Sequence, residues 1–73
     1  MEGDLQRTFG RNVRALREGR GIGREQMAEE IGFHPTYLGA IERGERNLTL
    51  RSVERLCGAL GMAPDRMLAA PAT

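Results

Sequence analysis

One cysteine, Cys57, and one histidine, His34, are present in the 73-residue chain, too few for a disulfide framework or a zinc-binding set. A chain of this size buries only about 60% of the surface it exposes when unfolded, so well-patterned helices, strands or self-association must supply what bridges and metals do not. Lysine is missing altogether: all 11 basic residues are arginine, a choice that suits bidentate phosphate or carboxylate contacts and that codon bias also produces. No window approaches about 18 consecutive apolar residues, and Met1-Glu2-Gly3-Asp4 is neither basic nor followed by an apolar signal core. Neither a membrane span nor a secretory peptide is expected, which predicts a soluble cytoplasmic protein. No alternation of apolar with polar residues extends beyond five positions, so no strand is expected either. The 11 basic residues face 10 acidic ones, and a net charge of +1 argues against indiscriminate gripping of polyanions.

What is present is helical periodicity divided by glycine. Leu5, Phe9, Val13 and Leu16 form an apolar stripe, with Arg7, Arg11 and Arg14 on another face, which predicts a helix over about 4–18. Met27, Ala28 and Ile31 predict a second helix over about 24–31, with Gly23 as its N-cap. Pro35 in a first turn, Leu38 and Ile41 three apart, and Gly44 beyond predict a third over about 35–43. Thr49 can cap a fourth over about 50–60, where Val53, Leu56, Cys57 and Leu60 follow the helical period, and Pro64 opens a last short helix to about residue 70. Five helices with short connections predict a single compact all-α domain over 1–73.

Residues 24–43 carry the functional signal. Met27, Ile31, Phe33, Leu38 and Ile41 are apolar where two crossing helices must meet, Ala28 is small, and Gly32 stands where a helix stops and the chain needs a positive φ. The outward run His34, Pro35, Thr36, Tyr37, Gly39 and Ala40 contains no carboxylate, so it can approach phosphates without repulsion.

On these residues the chain resembles the helix-turn-helix family of the phage Cro and repressor type, also called the xenobiotic-response-element family, over residues 10–62. The stretch from Thr36 to Leu50 is similar to the controller proteins of restriction-modification systems. The resemblance implies a five-helix, lambda-repressor-like domain that binds double-stranded DNA as a homodimer, with the third helix in the major groove. Thr36 and Tyr37 match residues at base edges, Arg43, Arg46, Asn47 and Ser52 match contacts to the sugar-phosphate backbone, and Arg24 matches a phosphate contact. Pro35 departs from the polar or basic reader many relatives carry, and Ala40 can touch only a thymine methyl. The family's ion pair between the first and third helices corresponds to Arg17 and Glu42. Glu25 and Glu29 match acidic residues through which phage repressors touch RNA polymerase. The segment of about 60–70, with Leu60, Met62, Met67 and Leu68, is expected to join the two protomers.

Structural roles compete for several of these positions. Tyr37 can cover the core with its ring, His34 can cap a helix or donate to phosphate, and Gly39 can mark close approach of DNA or mere tolerance. Glu25 and Glu29 can be a solvated helix face, as can Arg7, Arg11 and Arg14. Cys57 reads as a core residue, and with no phosphate-cradling glycine loop, nucleophile-base pair or metal spacing, no enzymatic activity, cofactor or small-molecule ligand is expected. A sequence-specific regulator on a palindromic operator is the reading these residues favour. An antitoxin-like or adaptor module that holds a protein on the same fold is the alternative.

Overall fold

The computed structural model describes residues 4–69. It contains α1 (Asp4–Gly19), α2 (Arg24–Ile31), α3 (Pro35–Glu42), α4 (Leu50–Leu60) and α5 (Pro64–Met67), and no strand among the described residues. The expected five-helix, all-α architecture is thus present. The end of the segment expected at about 60–70 differs: α5 stops at Met67, and residue 70 lies outside the described residues. The third helix also ends one residue early, because Arg43 takes the C-cap position at φ −86° and ψ −3°.

Local chemistry sets these boundaries. Gly32 and Gly44 adopt φ of +76° and +73°, which a side chain disfavours. At each, paired backbone bonds close the helix behind it: Phe33 N–H to Ala28 O at 2.8 Å beyond α2, and Glu45 N–H to Ala40 O at 2.9 Å beyond α3. The Thr49 hydroxyl accepts from Ser52 N–H at 3.0 Å and opens α4 as its N-cap.

Phe9, Val13, Met27, Leu38, Ile41, Leu56 and Met67 are the large side chains withdrawn from solvent. They draw on all five helices. In the contacts that surround them, α1 lies against α3 and α5, α2 against α3 and α4, and α4 against α5. Met67 is 1% exposed, which corrects its assignment to a surface between protomers. Its side chain completes its own chain's core, because the amide of Asn12 bonds to the Met67 and Ala69 carbonyls at 2.7 and 3.1 Å and ties α5 down onto α1. Leu60, Met62 and Leu68 remain half-buried.

Two contacts fix α1 against the end of α3. A Cβ placed on Gly10 would lie 2.2 Å from the Ile41 carbonyl oxygen and 2.7 Å from that of Glu42, so the helices approach too closely for any side chain. Nearby, Arg17 Nε and Nη2 donate to Glu42 Oε2 and Oε1 at 2.7 and 3.0 Å, and Nη1 donates to the Ile22 carbonyl at 2.9 Å. Both residues are 8% exposed. The hydrogen bonds to Glu42 raise the Arg17 pKa above its already high ordinary value, more than burial lowers it.

Gly10→Ala should therefore destabilise the domain by about 2 kcal/mol or more despite the better helix propensity of alanine. A thermal melt should fall by roughly 8 °C or more, and an unchanged melt would show that the helices separate at no cost. In the ion pair, Glu42→Ala should cost about 3 to 5 kcal/mol by stranding a buried guanidinium, whereas Arg17→Met with Glu42→Leu should recover most of that loss. Denaturant titration of the single and double variants checks this; additive losses would contradict it.

Candidate nucleic-acid interface

The third helix has only eight residues, Pro35–Glu42, and depends on its ends. His34 Nδ1 accepts the Thr36 N–H at 3.1 Å, so His34 is the N-cap, and Pro35 follows at a position where its missing N–H goes unmissed. Capping through Nδ1 places the proton of the neutral ring on Nε2. The cap and a phosphate donor are therefore compatible roles for one side chain.

Tyr37 combines two roles in the same way. Its ring is half-buried, edge-on to Phe33 with centroids 5.3 Å apart, and its hydroxyl does not face water as a covering tyrosine's would. It hydrogen-bonds Ser52 Oγ at 2.9 Å, and Ser52 Oγ in turn accepts from the Thr49 hydroxyl at 3.0 Å. The Arg46 guanidinium sits 5.6 Å from the Tyr37 ring centre, within cation–π range. Tyr37, Arg46, Thr49 and the first turn of α4 thus form one connected unit beside α3.

Three residues expected at the surface are buried instead. Ser52 is 7% exposed and engaged by Tyr37 and Thr49, so its hydroxyl orders the Tyr37 ring rather than standing free for a phosphate. Ala40 is 7% exposed: it lies in the half of α3 that α1 crosses, so the face that is open at Thr36 has closed one turn later. Gly39 is buried too, and the cause is its neighbours. A Cβ there would meet Arg43 Nη1 at 3.2 Å and Arg24 Nη1 at 3.3 Å, so two guanidinium groups lie over the bare backbone.

Beside these residues lies a groove lined by Gly23, Arg24, Glu25, Pro35, Thr36, the buried Gly39 and Arg43. It runs from the start of α2 along α3 to the C-cap at Arg43. Glu25 stands in this groove, which brings it closer to the arginines than its reading as an outward patch with Glu29 supposes; Glu29 is exposed on α2. Arg46 and Asn47 are exposed on the segment after α3, with Asn47 Oδ1 accepting from Gln6 at 2.7 Å. The amide nitrogen of Asn47 is left to donate outward.

Sequence reasoning missed Gly10 and Arg55. Arg55 Nη2 donates to the Ile31 carbonyl at 2.8 Å while its guanidinium lies 5.2 Å from the Phe33 ring centre, closing the exposed end of α2. Gly10 had a readable signal in a glycine inside a long amphipathic helix, which costs about 1 kcal/mol and calls for a reason. Arg55 had none, since it falls on the polar side of α4. Cys57 is buried, which pushes its thiol pKa up, while His34 is exposed with Nδ1 occupied. The two do not form a nucleophile-base pair. Among the described residues no group of His, Cys, Asp and Glu is placed to hold a metal ion, and no helix is long and apolar enough to cross a membrane.

Comparisons with known proteins agree with this geometry. The model of a helix-turn-helix domain family matches residues 8–70. Control protein C.SmaI of Serratia marcescens is 38% identical over 65 residues, covering 89% of this chain and 77% of that protein. Control protein C.BamHI of Bacillus amyloliquefaciens is 36% identical over 69 residues, covering 93% and 85%. The crystal structure of the restriction-modification controller protein C.AhdI from Aeromonas hydrophila superposes with a TM-score of 0.76 at 36% identity, covering 88% of this chain and 96% of that one. These relatives are regulators rather than enzymes, and with the groove beside α3 they settle the family: the chain belongs to the helix-turn-helix transcription regulators of the xenobiotic-response-element type.

Proposed function

We propose that the chain is a homodimeric transcription regulator that binds a palindromic operator in duplex DNA, with the first turn of α3 in the major groove. The observation that carries this reading is the arrangement around Thr36: it is exposed in the first turn of α3, flanked by Arg24 and Arg43 in one groove, with Arg46 beside Tyr37. Guanidinium groups around an exposed threonine suit a duplex, whose phosphates flank its base edges. Half-buried Leu60, Met62 and Leu68 supply apolar area for the protomer contact, now without Met67.

Selection from a random duplex pool should recover a palindrome whose half-sites lie about one helical turn, 34 Å, apart. Sedimentation at tens of micromolar should show dimers, and Leu60→Asp with Leu68→Asp should give folded monomers that bind the operator weakly. Failure to enrich any sequence, with capture of a protein partner instead, would favour the adaptor reading.

Positioning and reading should separate. Arg46→Ala should weaken all duplexes alike and reduce the salt slope by about one, whereas Thr36→Ala should cost about 1 to 3 kcal/mol at particular base pairs and relax choice there. Titrations giving the reverse pattern would contradict the docking.

A further inference from the structure

A second, narrower cleft lies beside the α3 groove, lined by Arg14, Arg17, Arg24, Glu42 and Arg43. Arg24 and Arg43 line both, so the second cleft continues the first toward α1. Its walls carry four guanidinium groups and one carboxylate. Both oxygens of that carboxylate are taken by Arg17, which leaves Arg14, Arg24 and Arg43 without compensation from it. Arg14 spends Nε on Glu18 and Arg43 spends Nε on Glu45, each at 3.0 Å and each pair about half exposed. Such pairs are weak and exchange readily. Arg24 makes no side-chain hydrogen bond or ion pair among the described residues, and its Nη1 and that of Arg43 lie within 3.3 Å of one point above Gly39. Like charges converge there, with Glu25 only on the wall of the wider groove.

Resting on the reading given above, we propose that Arg14 belongs to the DNA footprint: Arg14, Arg24 and Arg43 form a cradle for a backbone phosphodiester, which extends the contact from α2 and α3 onto α1. Guanidinium forks match paired phosphate oxygens. Continuity with the α3 groove selects a nucleic-acid strand over a free anion, because a strand leaving the groove meets the cleft next. The Arg17–Glu42 pair forms a rigid back wall, and the absence of a Cβ at position 39 lets the two upper arginines close over α3.

The test uses the full chain with its selected operator and with an unrelated duplex, titrated at several salt concentrations. Arg14→Ala should weaken both duplexes by a similar factor, about five- to tenfold, and reduce the magnitude of the salt slope by about 0.9. Arg11→Ala, on the same helix but lining neither cleft, is the control and should change far less. Glu18→Gln, which frees Arg14, should tighten both. Thermal melts of all three variants should match wild type, since only exposed groups change. Wild-type binding with Arg14→Ala indistinguishable from Arg11→Ala overturns this proposal alone, whereas a wild type that binds no duplex overturns the DNA-binding reading with it. Inorganic phosphate followed by NMR distinguishes the source of the anion: shifts at the cleft that Arg14→Ala abolishes, with duplex affinity unmoved, would assign the cradle to a free phosphate and overturn the proposal.

Discussion

The contact between α1 and the end of α3 is the constraint on which the rest depends. An unpaired charge inside a domain of this size is intolerable, because desolvation costs several kcal/mol per ion against a total stability of about 5 to 15 kcal/mol. Arg17 and Glu42 escape that cost only in one geometry, with two parallel bonds between them and the Ile22 carbonyl taking a third donor. That geometry fixes the last turn of α1, the loop before α2 and the last residue of α3 together. Gly10 then allows the two helices to touch backbone to side-chain-free backbone. The angle at which α3 leaves the body of the domain is set by these two features.

Holding the far end of α3 is a separate problem, since eight residues are too few to be stable alone. His34 ties its first turn and Tyr37 reaches across to Ser52. The side chains that stabilise this helix are therefore also among those proposed above to meet DNA. Tyr37 is half inside and half outside, so the core positions its ring while the hydroxyl joins the start of α4. A residue of this kind cannot be sorted into core or interface, because each role supplies the geometry for the other.

Helix positions were legible in the sequence because each depends on signals within about one turn: the apolar stripe from Leu5 to Leu16, the caps at Thr49 and Gly23, and glycine at 32 and 44. The Arg17–Glu42 pair, on two different helices, came from the family resemblance and not from any local signal. What the sequence could not show was tertiary crossing. Ala40 shares a face with Thr36 by helical period, yet one is buried and the other open. Met67 and Leu68 are neighbours of similar character, and only the turn after α4 decides which enters the core. Arg14 reads as a solvated face in sequence because Arg24 and Arg43, with which it lines the cleft, lie far along the chain beyond α1.

The charge distribution resolves how a chain of net charge +1 can approach a polyanion. Among the described residues the carboxylates of Asp4, Glu18, Glu30, Glu42 and Glu45 are attached to particular arginines. One pair, Arg17 and Glu42, is buried and permanent. Others, Arg14 with Glu18, Arg43 with Glu45 and Arg20 with Glu30, are exposed, where a pair contributes about 0 to 1 kcal/mol. In the proposed cradle a phosphate arriving at Arg14 or Arg43 replaces a weak partner at little cost, so these glutamates would lower the attraction for a general polyanion more than for a strand seated in the groove. Selectivity in this view begins before any base is read: only a ligand that presents phosphates at the spacing of the arginines recovers what each displaced glutamate gave up, and the buried pair keeps those arginines at that spacing while the exchange occurs.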